Sequence, residues 1–325
     1  MLGPLFAIAA LRVSGVEIGV PVQVRYTGQW VIGTALGLYF TPAVIRQVAA
    51  VWYLPILAAA FAIAIGYVAA ALLARLARLD LTTSLFASVP GGAAEMTTLG
   101  ERFGAQQDKV AAAQSLRILI VVAVVPAAFT LAGLRGADAY AMGTTQFDGP
   151  AFIVLMLATL TAGWLAQRTR VPNGFVLGAL GVAIVLTMSE ARLSAMPVVL
   201  SNAAQVMLGC ALGSRFERDF LHGAPRFVAS VVASVFVSIA LATLFGVVLG
   251  LASGQNIATM VLGMAPGGVA EMAITAKVLQ LGVPLVTAFH VMRLVVVLVL
   301  TGPVFVRART FRRSRWARAL QGKRS

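Results

Sequence analysis

A nine-residue phrase occurs twice inside apolar sequence: residues 88–96 read SVPGGAAEM and residues 264–272 read MAPGGVAEM. Six of the nine positions match, at the offset that carries Pro90 onto Pro266. The same offset, without a gap, pairs GQWVIGTALGLYF (28–40) with AQVMLGCALGSRF (204–216), Pro21 with Pro197, and Arg117 with Arg293. The chain therefore reads as two copies of one unit. Each copy sets a helix breaker and an ionisable pair inside sequence that is otherwise fit for lipid.

Composition supports the membrane reading. Hydrophobic residues make up 60% of the chain and charged residues 11%, with a mean hydropathy of +0.92. A soluble domain carries roughly twice that charged fraction. Windows 51–74, 110–133, 226–251 and 284–306 are each long and apolar enough to cross a hydrocarbon core as a helix. The alternating polarity of a membrane β-barrel is absent. The predicted fold class is an all-α polytopic membrane protein, and the lipid bilayer is its first partner.

The apolar segments are 1–11, 28–45, 51–74, 81–105, 110–133, 151–167, 173–189, 197–214, 226–251, 256–281 and 284–306. We divide the chain into a first copy (1–135), a linker (136–150, with Gly136, Gly143, Gly149 and Pro150), a second copy (151–306) and a basic tail (307–325). The first copy has no counterpart of 151–167, so its first helix is expected to be missing, through loss or a misplaced start. The tail holds Arg307, Arg309, Arg312, Arg313, Arg315, Arg318, Lys323 and Arg324 with no acid, within a net charge of +14. A basic segment after a transmembrane helix reads as a cytoplasmic anchor. No helix-turn-helix or zinc pattern accompanies it, and no direct nucleic-acid contact is expected. Cys210 reads as a small buried hydrophobe.

Charge also predicts topology. If 256–281 crossed once, loop 215–226, with Arg215, Arg218 and Arg226, would lie opposite the cytoplasmic tail. That opposes the positive-inside rule. If 256–281 is re-entrant, this loop falls inside together with Arg168 and Arg170, and loop 134–150, with Arg135, Asp138 and Asp148, falls outside. Treating 81–105 alike places Arg75 and Arg78 inside, and Arg46 is the exception. Each complete unit then has an odd number of crossings, so the second copy is inverted. A broken helix that crosses fully is the alternative.

Pro90 and Pro266 each remove a backbone donor, and Gly91, Gly92, Gly267 and Gly268 let the chain turn. The second short helix of each pair then presents unpaired N–H groups and the positive end of a dipole. Glu95 and Glu271 follow five residues after each proline. A charged carboxylate at bilayer depth is costly, so each glutamate is expected to be protonated, paired or wet. Arg117 and Arg293 are the expected partners. Gln114 and His290 each lie three residues before an arginine, on the same helix face. These twelve residues form the candidate substrate or ion site. Asp80 and Asn256, with Thr83 and Thr259, read as helix caps. Gly33, Gly37, Gly209 and Gly213 read as helix-packing positions.

The two PGG(A/V)AEM phrases, each followed by QxxR or HxxR, resemble the AbrB-type membrane protein family over essentially the whole chain. That resemblance implies a bacterial inner-membrane protein with a duplicated unit. Its members are labelled regulators of gene expression or ammonia monooxygenases. A copper or iron oxygenase needs several nitrogen or carboxylate ligands together, and the chain has only His222 and His290 with no metal-site spacing. The expectation is therefore no enzyme, no catalytic residue, no metal and no cofactor. We read a secondary transporter of a small anionic or amino-acid-like solute, coupled to protons or cations, with room for a homodimer. The rival reading is a membrane-embedded regulator that does not transport.

Overall fold

The computed structural model describes residues 1–137, 146–189, 193–214 and 224–321, with side chains as far as Arg307. Asp138, Arg215, Arg218, His222, linker residues 138–145 and the tail side chains after Arg307 lie outside the described residues.

The described residues form fourteen α-helices and no strand. They are α1 (Leu2–Val13), α2 (Val22–Gly37), α3 (Pro42–Ala50), α4 (Tyr53–Ala77), α5 (Leu81–Ser88), α6 (Ala93–Arg102) and α7 (Gln107–Leu131). After the linker come α8 (Gly149–Arg168), α9 (Gly174–Met188), α10 (Val198–Gly213), α11 (Pro225–Ser253), α12 (Ile257–Met264), α13 (Val269–Val278) and α14 (Val283–Gln321). Five of them (α4, α7, α8, α11 and the first 25 residues of α14) are long and apolar enough to cross a bilayer. The chain is an all-α, multi-pass membrane protein.

The apolar stretch 28–45 differs from the expected single segment. It is divided between α2 and α3, whose axes meet at 87°. Pro42 has no N–H to continue the ladder, and the Thr41 hydroxyl instead caps the Val44 N–H at 3.3 Å.

The two PGG stretches form hairpins. Asp80 Oδ1 accepts from Thr83 N at 2.8 Å and opens α5; Asn256 Oδ1 accepts from Thr259 N at 3.0 Å and opens α12. Both predicted caps are present. The same threonines then close the hairpins: the Gln106 N–H donates to Thr83 Oγ1 at 3.0 Å, and the Gly282 N–H donates to Thr259 Oγ1 at 3.3 Å. Were α5 and α6 one broken span, these 23-residue separations would put the groups roughly 35 Å apart at 1.5 Å per residue. Instead, Phe86 of α5 stacks on Phe103 beyond the end of α6, with ring centroids 5.7 Å apart. Each segment enters and leaves on one side. Replacing Asp80 or Asn256 with Ala removes a cap worth about 1 kcal/mol. Each variant is expected to melt earlier than the unaltered protein in detergent, by a small but resolvable shift.

Local structure recurs at the offset of the repeated phrase. Shifted from Pro90 to Pro266, the bounds of α2, α5 and α6 become those of α10, α12 and α13, and the start of α7 becomes the start of α14. The corresponding helices α4 and α11 pack antiparallel. Arg226 Nε donates to Leu76 O, Ser234 Oγ donates to Ala69 O, and Phe245 stacks on Phe61. Along these three contacts one chain number rises as the other falls.

The helices pack as two groups. In one, α2 packs on α9 and α10, α8 on α9, and α1 on α10. The expected glycine contacts occur here: a Cβ on Gly33 would lie 2.5 Å from Val176 O, and one on Gly209 would lie 2.5 Å from Met1 O. Trp30 Nε1 and Thr34 Oγ1 both donate to Thr159 Oγ1 at 3.0 Å and tie α2 to α8. In the other group, α4 contacts α5, α11 and α14, while each hairpin rests on the long helix that follows it. The groups meet where α2 touches α13 and α14.

Candidate functional site

The breaks at Pro90 and Pro266 free backbone carbonyls at the ends of α5 and α12. In a dry interior each needs a donor. The first hairpin obtains its donors from α7. Gln114 Nε2 donates to Phe86 O at 2.7 Å and to Val89 O at 2.9 Å. Arg117 Nη1 donates to Val89 O and Nη2 to Gly91 O, both at 3.1 Å. In the second hairpin Arg293 Nη1 donates to Ala265 O at 2.6 Å and Nη2 to Gly267 O. Val89 O and Ala265 O sit at the negative ends of the short helices α5 and α12, while Gly91 O and Gly267 O lie in the turns that follow, and a guanidinium fork spans each such pair.

Both arginines therefore hold hairpin tips rather than pairing with the glutamates through these nitrogens. Each is the eleventh residue of its helix, because α7 begins at Gln107 and α14 at Val283. Arg117 is 4% exposed and Arg293 6%. The apolar pattern alone starts the first of these helices at residue 110, one turn too late.

Gln114 and His290, matched in sequence, differ in role. His290 is fully buried, and its Nδ1 lies 2.9 Å from Val286 O of its own helix. Its ring also faces the Ala265 backbone at the tip of the second hairpin without a well-formed hydrogen bond from Nε2, so the contact is looser than the amide clamp of the first hairpin.

Glu95 and Glu271 occupy the third positions of α6 and α13, after the N-caps Gly92 and Gly268. Each carboxylate folds back over its cap glycine, and a Cβ at Gly92 or Gly268 would overlap Oε2. A carboxylate over the first turn of a helix is favoured by the unpaired N–H groups and the dipole there. The second glycine of each PGG therefore makes room for the glutamate. The first packs against Met96 or Met272.

The two tips converge. Gly91, Gly92 and Glu95 from the first hairpin and Gly267, Gly268 and Glu271 from the second line one cavity of about 610 Å³. Arg117 reaches it, whereas Arg293, His290, Gln114 and both prolines are not among its lining residues. The opposite wall comes from the other helix group, with Arg25, Tyr26 and Gln29 on α2 and Arg170, Pro172 and Asn173 in the α8–α9 turn. Sequence reasoning missed this wall. Arg25 lies in the first turn of α2, where an arginine reads as an interfacial anchor, and its partner position in the repeat is Ser201. One signal was available: the RVPNG turn, where Arg170 (φ 59°) and Asn173 (φ 50°) take the left-handed conformation.

The cavity is not symmetric between the hairpins. It follows α6 from its tip to Thr98, Leu99 and Arg102, but takes only Val269, Ala270 and Glu271 from α13. Ala94 and Thr98 are exposed, while their counterparts Ala270 (5%) and Ile274 (6%) are buried. The opening therefore runs toward the base of the first hairpin, and the path along the second is packed shut.

A family model described as "Transition state regulatory protein AbrB" matches residues 1–309. The chain is 30% identical over 298 residues to "Uncharacterized protein YhjN" of Bacillus subtilis (strain 168), covering 86% of this chain and 77% of the relative. It is 27% identical over 314 residues to "Putative regulator AbrB" of Escherichia coli (strain K12), covering 94% of this chain and 88% of that relative. No solved structure matches. With the family model spanning nearly the whole length, and the paired PGG hairpins that carried the resemblance present in the fold, the chain belongs to the AbrB family.

Proposed function

We propose that the protein is a secondary transporter that moves a small anionic or amino-acid-like solute by alternating access, coupled to protons or cations. The observation that carries this reading is the shared cavity, which both hairpin tips line but which opens along only one of them. Two re-entrant tips at a charged cavity, with equivalent helices α4 and α11 antiparallel, accord with inverted repeats around a central site. In such a duplication the outward-open state is the present one with the roles of the copies exchanged. The face of α13 at Ala270 and Ile274 becomes wet, and the face of α6 at Ala94 and Thr98 becomes dry. Glu95 and Glu271 are the coupling groups in this proposal, because each sits at the cavity with its carboxylate against a helix start.

We place the protein in the bacterial inner membrane with its C-terminus in the cytoplasm. The re-entrant hairpins support this, since they put Arg75, Arg78, Arg168 and Arg170 on the side of the basic tail. The cavity then opens to the cytoplasm in the present state.

The test is flux of anionic and amino-acid solutes into proteoliposomes under an imposed proton gradient, combined with thiol labelling of single cysteines at Thr98 and Ile274. Glu271→Gln is expected to abolish coupled flux at normal expression, and the two labelling rates are expected to change in opposite directions on adding solute. Flux unaffected by Glu95→Gln and Glu271→Gln, or no flux of any solute, would defeat the proposal. A second reading is a regulator of gene expression, favoured by the name of the Escherichia coli relative. A regulatory phenotype that survives both glutamate substitutions supports it.

A further inference from the structure

We infer that Arg25 is the anchor for the carboxylate of a small solute, on the cavity wall facing the hairpin tips. This inference rests on the transporter reading and names the substrate class for the same site.

Among the described residues, four arginines line the cavity, and they are not equivalent. Arg117 is buried and its terminal nitrogens hold Val89 O and Gly91 O. Arg102 and Arg170 are exposed and stand at the mouth. Arg25 is half-buried, and its Nε is shielded from solvent without a hydrogen-bond partner. Its guanidinium carbon lies 5.3 Å from the centroid of the Tyr26 ring, and Tyr26 stacks on Phe175 with centroids 4.7 Å apart. The cation is thus held against an aromatic platform with donors left over. A guanidinium withdrawn from water with an unmet donor is costly until an anion arrives, and a planar carboxylate matches its fork with two parallel hydrogen bonds.

The charge balance favours an anion. Among the described lining residues, Arg25, Arg102, Arg117 and Arg170 face Glu95 and Glu271, an excess of positive charge that the bonds of Arg117 to neutral carbonyls do not remove. A carboxylate reduces that excess, and its planar pair of oxygens fits the fork of Arg25. The exposed Arg102 and Arg170 form an attracting rim that concentrates anions at the opening. Gln29 Nε2 donates to Asn173 Oδ1 at 3.4 Å, which places an amide pair beside Arg25 for polar groups on the rest of the solute.

The experiment measures binding rather than flux, on the purified full-length protein in nanodiscs. The probes are acetate, butyrate, L-lactate, benzoate and L-alanine, with phosphate and chloride as competing anions. At least one monocarboxylate is expected to bind saturably and raise the melting temperature. Arg25→Gln is expected to weaken that binding at least tenfold without changing the melting temperature of the ligand-free protein, and Arg25→Lys to recover part of the loss. Arg46→Gln, at an exposed position away from the cavity, is expected to bind like the unaltered protein. Binding of none of the carboxylates, unchanged binding in Arg25→Gln, or a preference for phosphate at Arg25 would overturn the assignment. Carboxylate binding that depends on Arg25 in a protein that moves no solute would overturn the transporter reading and leave the anchor standing.

Discussion

Replacing Arg293 with Ala is expected to lower stability by roughly 3 kcal/mol, through the loss of two hydrogen bonds from a charged donor at about 1.5–3 kcal/mol each; Ala265 O keeps the Gly267 N–H at 2.8 Å, whereas Gly267 O loses the guanidinium. Ala265 O and Gly267 O lie where the backbone of the second hairpin reverses, and Pro266 between them offers no N–H. Some of the loss is offset because a buried cation is also removed. The two charge-assisted bonds outweigh that relief. Lysine is expected to restore only part of the stability: its single ammonium keeps the charge but does not span two carbonyls as the fork does. Thermal unfolding of the purified protein reads the effect. Arg117→Ala is expected to cost less, because Gln114 still holds Val89 O and Phe86 O. If Arg293→Ala melts at the temperature of the unaltered protein, the arginine is not the tie that holds the hairpin.

The second large effect lies in the other helix group. Gly33→Ala is expected to destabilise by roughly 1–3 kcal/mol, the usual range for overpacking a filled core. Its Cβ would lie 2.5 Å from Val176 O and 3.2 Å from the Ala179 Cβ, so α2 and α9 would have to separate. The obstacle is backbone, which a rotamer change does not relieve. Gly181→Ala supplies the control within the same pair of helices. Nothing lies within 4 Å of its Cβ, and alanine is favoured over glycine in a helix by roughly 0.5–1 kcal/mol. The two substitutions should therefore shift the melting temperature in opposite directions. Shifts of the same sign would mean that close approach at Gly33 is not what joins α2 to α9.

Much of this architecture was legible in the residues. The constant offset between the two copies anticipated helix pairs with matching bounds, because identical breakers and caps stop and start helices at identical places. Asp80 and Asn256 were readable as caps because their partners lie three residues away. The glycine pairs on α2 and α10 were readable as packing faces because small residues four apart share a side. The role of the arginines was not legible. Their spacing from the glutamates suggested ion pairs, but their terminal nitrogens bond to carbonyls that become acceptors only once the chain turns back at Pro90 and Pro266. Arg25 was invisible for a related reason, since it faces the hairpin tips from a helix group far away in sequence.

The sequence by itself determined the solvent, the helices and the breaks in them, because hydropathy, capping and proline act through neighbours along the chain. Only the tertiary structure decided that the breaks are hairpins whose tips share one cavity, and that this cavity opens along α6 and not along α13. Those outcomes depend on which buried carbonyls find donors and which helix faces meet, and both are set by groups brought together from distant parts of the chain.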